Sequence, residues 1–369
     1  MVKRFFNILG IKTIDLYIIK KFLGTFFFSI ALILAIVIVF DLVEKMEDFM
    51  EHNTPLNEIV FTYYVNFLPY FANFFSPLFV FISVIFFTSK LTSNSEIVAI
   101  LSSGVSYHRL MRPYFLSALF LAALSLVLTG YIIPPANKKR IDFELKYIDG
   151  AVGFTKRNVH KQILPGQFAY IESYDNNRDI GYKFSLERFE DGELVSKLMA
   201  NRVSWDSTLQ KWKVMNYYIR NYNKIGHDEI IEGKSIDTVL NMDPKDFKMR
   251  LKSIETLNTP QLKEFIADQQ MRGDDNVEAY KVEKYRRLAF PFSTFILTLI
   301  GVSLSTRKTR GGTGLNIAVG IALSFIYILF MQVFTELAKA NSMPSLLAVW
   351  IPNIIFFLIG LFLYRLAPK

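Results

Sequence analysis

The 369-residue chain has no cysteine, four scattered histidines and no charged side chain inside any of its long apolar runs. Each absence removes a class of function. Without cysteine there is neither a disulfide framework nor a thiolate, although this says little about compartment. His52, His108, His160 and His227 show no metal-ligand spacing such as HExxH, so no metal site and no metal cofactor are expected. Gly233-Lys234-Ser235 has the ending of a phosphate-binding loop, but the first glycine of that motif would fall on Asp228. Gly311-Gly312-Thr313-Gly314 follows an apolar run rather than a strand and reads as a flexible loop. An ion-coupled carrier usually needs acids or bases buried at mid-span, and none is present. The chain is therefore not expected to be an enzyme. If it moves something, a partner supplies the energy.

What is abundant is apolar length. Hydrophobic residues make up 51% of the chain, with 35 phenylalanines. Uncharged runs cover Phe22–Phe40, Ile59–Ser89, Pro113–Asn137, Leu288–Thr306, Gly311–Thr335 and Ala340–Tyr364. A helix needs about 20 such residues to cross the hydrocarbon core, so six membrane spans are expected. The net charge of +9 is distributed topologically and does not call for nucleic acid. Lys3, Arg4, Lys12, Lys20 and Lys21 precede the first span, Arg307, Lys308 and Arg310 fill the loop between spans four and five, and Arg365 and Lys369 close the chain. The loop after span one is instead rich in Glu44, Glu47, Asp48, Glu51 and Glu58. By the positive-inside rule both termini lie in the cytoplasm, with anionic headgroups nearby. The first run is too long and starts too late for a cleaved signal peptide.

Within the spans, Ala31/Ala35, Ala318/Ala322 and Gly320/Ser324 have the four-residue spacing that permits close helix packing; for Ala31 and Ala35 ordinary lipid-facing alanines serve equally well. Pro69 and Pro77 predict kinks in span two, and Asn66 and Asn73 need partners inside the bundle. Span three is expected to end at Pro134-Pro135. Between it and about Lys284, short segments alternate: Phe168-Ala169-Tyr170-Ile171, Tyr182-Lys183-Phe184-Ser185-Leu186 and Trp212-Lys213-Val214. Turn signals at Asp175-Asn176-Asn177, Glu190-Asp191-Gly192 and Lys224-Ile225-Gly226 separate them. This predicts an all-β domain, a sandwich or jelly roll, of about 110 residues. A helix then opens at Thr259-Pro260, exposes one apolar face through Leu262, Phe265 and Ile266, and stops at Gly273. The expected order is spans one to three over residues 1–137, the β domain with its helical return over 138–283, and spans four to six over 284–369.

The stretch Thr88–Arg112 is different in kind. Ser93 with Glu96 has capping-box spacing, Ile97, Ile100 and Leu101 recur at helical spacing, and Gly104 sits where a left-handed residue ends a helix. Its flanks carry Lys90, Arg109 and Arg112, with Glu96 the sole acid, which places this short helix over 93–103 in the cytoplasm. It either transmits force from a soluble motor or simply lies on the membrane surface.

These residues, taken in order, resemble the LptF/LptG (YjgP/YjgQ) family of lipopolysaccharide export permeases. The resemblance rests on Ser95-Glu96-Ile97-Val98 with Ser103-Gly104-Val105, on Phe75-Ser76-Pro77-Leu78 in span two and on Leu16-Tyr17-Ile18 before span one. Phe168-Ala169-Tyr170-Ile171-Glu172, Lys211-Trp212-Lys213-Val214 and Phe290-Pro291-Phe292 extend it along essentially the whole chain, nearer the LptG side. It implies a six-span (3 + 3) α-helical protein of the inner membrane of a Gram-negative bacterium, with an inserted jelly-roll-like periplasmic domain. The implied partners are a dimer of an LptB-like ATPase, a second LptF/LptG-type permease subunit, an LptC/LptA-like periplasmic jelly-roll protein and lipopolysaccharide itself.

The site residues follow from that reading. Ser93, Glu96, Ile97, Ile100, Leu101 and Gly104 would couple to the ATPase. Ala31, Ala35 and Lys45 of span one, with Phe325, Ile328, Met331 and Val333 of span five, would line a lateral gate for lipid. Phe168, Tyr170, Phe184 and Leu186 would form a lipid groove in the β domain, or simply its closed core. Related LptG chains often carry lysines at the outer end of span one; here Asp41-Leu42-Val43-Glu44-Lys45-Met46-Glu47-Asp48 is net acidic. Lys45 then acts alone, the partner subunit supplies cations, or the lipid carries fewer phosphates. A competing reading is a bundle that merely anchors a ligand-binding β domain, for which the capped cytoplasmic helix would have no use.

Overall fold

A computed structural model describes residues 12–148, 155–175, 178–223, 227–240, 242, 244, 251–274, 276–306 and 312–367. The turn signals at 176–177 and 224–226 and the basic residues 3, 4, 307, 308, 310 and 369 lie outside that set. The chain forms two compact units, a membrane unit (Met1–Ile148, Glu255–Thr259, Glu278–Lys369) and a sheet unit (Asp149–Ile254, Pro260–Val277).

Among the described residues, six helices of the membrane unit are long and apolar enough to cross a bilayer. Helix α1 (Thr13–Glu44) absorbs the basic lead-in and span one into a rod of 32 residues, about 48 Å at 1.5 Å per residue. It buries one stripe, Ile18, Phe22, Phe26 and Ile30, at a spacing of four. The rest faces outward, Phe28 and Phe40 being 70% and 73% exposed, which suits lipid and not water. A short α2 (Met46–Glu51) precedes span two, which starts as a π-helical stretch (Glu58–Tyr64) and continues as α3 (Val65–Ser93). Asn73 finds its partner across the bundle in Ser125 (2.6 Å), whereas Asn66 turns back to the carbonyl of Thr62 on its own helix (2.8 Å).

Helix α4 (Glu96–Ser102) links span two to span three. Span three runs as α5 (Tyr107–Val127), a π-helical turn (Leu128–Ile132) and α6 (Ile133–Tyr147). Pro134-Pro135 therefore does not end it. A proline inside a helix clashes with the carbonyl four residues back, and the widened turn just ahead gives that carbonyl room, so the helix persists for three more turns. Spans four to six are α8 (Val277–Ser305), α9 (Gly312–Lys339) and α10 (Ser345–Leu366), after α7 (Thr259–Met271) of the sheet unit.

Lipid tails are as apolar as leucine, so burial alone does not drive these helices together; close packing and interhelical hydrogen bonds do, at about 0.6 kcal/mol per bond. Gly301 of α8 brings its backbone so near α3 that a Cβ there would sit 2.9 Å from Val84. Thr92 Oγ1 donates to the Ser305 carbonyl (2.8 Å), Tyr327 Oη donates to Asn353 (2.9 Å), and Asn353 Nδ2 donates to the Ala289 carbonyl (3.2 Å). Of the small-residue pairs, Gly320/Ser324 is buried in this packing, while Ala31/Ala35 and Ala318/Ala322 stay exposed within the chain.

The β insertion, expected as a sandwich or jelly roll, shows among the described residues one sheet of six antiparallel strands in chain order. They are β1 (Thr155–Leu164), β2 (Gln167–Asp175), β3 (Ile180–Glu190), β4 (Glu193–Asp206), β5 (Lys211–Asn221) and β6 (Glu229–Thr238). The β3–β4 hairpin turns on Asp191 (φ +52°) and Gly192 (φ +82°), the double left-handed geometry that an Asp-Gly pair favours. Trp212 is fully buried at the centre of the sheet's core and donates its indole N–H to the Met242 carbonyl (2.9 Å).

Candidate functional site

Candidate sites lie at the two ends of the membrane unit. At the first, α4 sits among the starts of spans one and three. The capping box expected at Ser93 and Glu96 does not form: α3 runs through Ser93, and Ser95, at φ +60°, is the residue that turns the chain into α4. Thr92 holds α3 helical to that point by hydrogen bonds to the Thr88 and Ser305 carbonyls. The helix is accordingly seven residues, not the eleven of 93–103. Gly104 takes the left-handed conformation (φ +88°) just past its end.

Relieved of capping, the Glu96 carboxylate accepts from Tyr17 Oη of α1 (3.0 Å) and from Asn94 (3.3 Å). Ile97 is fully buried in a cluster with Ile18, Phe22, Leu91 and Tyr107, against which Ile100 and Leu101 also pack. Val98, Ala99 and Ser102 are left on the open face. Two residues before Tyr17, Asp15 is buried and accepts both Arg109 guanidinium nitrogens (2.7 and 2.6 Å) along with the Lys12 backbone N–H (2.8 Å). The fork geometry makes this bidentate pair stronger and more directional than a single contact. The base of span one is thus fastened to both α4 and span three.

At the opposite end, from which the chain leaves for the sheet unit, a cavity of about 340 Å³ opens between span two, span four and span five. Phe74, Leu78, Phe290, Phe325, Ile328 and Met331 wall it. Three of the four residues assigned to the gate on span five therefore share one cavity; Val333 does not line it and is 55% exposed. The closed end is charged. Arg286 pairs with Glu283 (2.9 Å) and stands 4.0 Å from Glu255, while Arg287 pairs with Glu283 (3.3 Å). Glu255 also accepts from Tyr70 (3.4 Å) and Asn137 (3.3 Å), and the Arg140 guanidinium lies over the Tyr70 ring. Burial, with Glu283 beside it, pushes the Glu255 carboxyl above its usual range despite the nearby arginines.

Lys45 is held internally. Its ammonium lies 3.2 Å from Asp41 and 3.7 Å from Glu144 and donates to Tyr63 Oη, over whose ring it sits. Two carboxylates and a phenol leave it little to offer a phosphate. Ala31 and Ala35 are exposed on the same helix.

In the sheet unit, Phe168, Tyr170 and Phe184 border one cavity of about 650 Å³ that Leu186 does not line, yet the side chains of the four divide between the two faces of the sheet. Directly opposed residues share a face, and Phe184 opposes Ile171 while Leu186 opposes Ala169. These four point into the core with Trp212. Phe168 and Tyr170 oppose Glu187 and Ser185 and lie on the other face.

Sequence reasoning missed the Asp15–Arg109 clamp, the Tyr17–Glu96 bond and the charged cavity end. Glu283, Arg286 and Arg287 carried a usable signal, since spacings of three and four place them on one helix face. The clamp joins residues 94 apart and had none.

The family described as "Lipopolysaccharide export system permease LptF/LptG" matches residues 16–366. A relative, the lipopolysaccharide export system permease protein LptG of Haemophilus influenzae, is 21% identical over 352 residues, covering 94% of this chain and 96% of that protein.

Proposed function

Because the chain belongs to the LptF/LptG family of lipopolysaccharide export permeases, we propose that it is the non-catalytic permease subunit of an ATP-driven exporter that lifts lipopolysaccharide from the inner membrane. In this reading both termini and α4 face the cytoplasm and the sheet unit lies in the periplasm. An LptB-like ATPase dimer docks on the open face of α4. A second LptF/LptG-type subunit completes the lipid path along spans one and five, and an LptC/LptA-like jelly-roll protein receives the lipid from the sheet unit.

The observation that carries the proposal is the fastening of α4 to span one. Motion imposed on α4 reaches α1 through the buried Ile97 and the Glu96–Tyr17 bond, while the Asp15–Arg109 clamp makes the base of span three move with it. Span one is long and lightly packed beyond Ile30, so displacement at its base is carried to its far end. The cavity walled by Phe325, Ile328 and Met331 would be squeezed as spans one and five rearrange, and flexible methionine with exposed aromatic rings suits acyl chains of varied shape. Each CH₂ brought into water costs about 0.8 kcal/mol, which is why ATP and an apolar receiver are both needed.

Affinity purification of the tagged chain from its own membranes in mild detergent tests this. An ATPase and a second six-span protein should accompany it, and substituting Val98→Glu and Ala99→Glu on the open face of α4 should release the ATPase alone. A chain that purifies by itself would refute the proposal.

A further inference from the structure

The end of the membrane unit that carries α4 has a second concavity, about 650 Å³, on the side where α5, α8 and α10 meet. Its length is apolar, lined by Phe115 and Leu119 of α5 and by Phe357 and Leu361 of α10. Its mouth is basic. His108 and Arg112 stand one helical turn apart on the same face of α5, and no carboxylate lines the groove. Among the described residues neither side chain has an ion-pair partner, in contrast to the neighbouring Arg109, which Asp15 engages fully.

Size and polarity together select an occupant. From His108 to Leu119 the helix rises about 16 Å, roughly half the hydrocarbon thickness, so the groove spans a single leaflet with His108 and Arg112 at the headgroup level. An acyl chain gains little by leaving other lipids for an apolar groove, so the groove alone would not discriminate. A guanidinium at the mouth does, because its planar fork matches phosphate oxygens, and basic pockets between transmembrane helices bind anionic headgroups on this principle. We propose that the groove between α5, α8 and α10 is a binding site for an anionic glycerophospholipid of the bilayer, with Arg112 and His108 on the phosphate and an acyl chain laid along Phe115, Leu119, Leu361 and Phe357. The site is separate from the cavity between spans two, four and five, and it touches the base of span three, which Asp15 clamps to span one.

Native mass spectrometry of the purified full chain, offered dioleoylphosphatidylglycerol or the zwitterionic dioleoylphosphatidylcholine at equal concentration, tests the site. Retention of the anionic lipid should exceed that of the zwitterionic one by on the order of tenfold. The double variant His108→Ala/Arg112→Ala should abolish the preference. Leu361→Trp, which fills the groove and leaves His108 and Arg112 in place, should lower binding of the anionic lipid as well, so a folding defect in one variant does not decide the matter. Equal retention of the two lipids by the wild type, or an undiminished preference in both variants, would overturn the proposal. So would a Leu119→Cys crosslink in native membranes that joins a partner's transmembrane helix, since the groove would then seat protein.

Discussion

Breaking the Asp15–Arg109 clamp should uncouple span one from span three without unfolding the bundle. Asp15→Asn cancels the charge while keeping an acceptor for the Lys12 backbone N–H, so it isolates the ion pair from the helix start. Removing one partner of a well-buried pair costs about 3–5 kcal/mol. Asp15 is 6% exposed at its side chain but Arg109 is 23% exposed, and water can partly re-solvate the freed guanidinium. The expected coupling energy is therefore nearer 2 kcal/mol. A double-mutant cycle with Arg109→Gln, read by equilibrium unfolding in mixed micelles, measures it directly, and ATPase stimulation by lipid in the assembled complex should fall in both single variants. The charge-swapped pair Asp15→Arg/Arg109→Asp should recover part of both. A coupling energy below about 0.5 kcal/mol, the ordinary additivity error, would mean the clamp carries nothing.

Three further outcomes follow from the remaining geometry. Glu255 binds its proton more tightly folded than unfolded, so its stabilising contribution is present at low pH and is lost as pH rises through its elevated folded value; wild type should therefore gain on Glu255→Gln in thermal unfolding as pH falls from neutral, and the opposite slope would contradict the burial argument. Cysteines introduced at Phe325 or Ile328 should crosslink to the partner subunit's span one and block export, whereas Val333→Cys, outside the cavity, should crosslink poorly; efficient crosslinking with export intact would remove the gate. A photo-crosslinking residue at Phe184 should capture lipid in an ATP-dependent manner and one at Tyr170 should not, because they occupy opposite faces of the sheet; capture at Tyr170 alone would place the lipid on the outer face.

The spans were legible because bilayer thickness imposes a length that any uncharged run displays in the chain itself. Strand existence and the Asp191-Gly192 turn were legible for the same local reason. The faces were not. Phe168-Ala169-Tyr170-Ile171 alternates equally well in either direction, and a shift of one residue reverses which pair is buried. The larger aromatics look like core residues, but Trp212 and Phe184 already fill that volume, and Ala169 and Ile171 are what fits beside them. Ser93 and Glu96 satisfy the capping-box pattern, yet Thr92 keeps the preceding helix intact past the point where a cap would form. The kink-forming Pro134-Pro135 was read as a stop because the compensating π-helical turn has no signature in composition. Arg140, Glu283, Arg286 and Arg287 escaped notice since each lies just outside an uncharged run, Glu255 lies far from any run, and only the fold draws them together.

The central claim is that force applied at α4 becomes lipid movement, and reconstitution tests it most directly. Proteoliposomes holding this chain, its partner permease, the ATPase and lipopolysaccharide should release lipid to a soluble jelly-roll acceptor only with ATP. Tyr17→Phe combined with Glu96→Gln, which severs the bond between α4 and span one, should leave the assembled complex and its basal ATP hydrolysis in place while release falls several-fold. Undiminished ATP-dependent release from that variant, or release from the permease pair with no ATPase bound, would contradict the account.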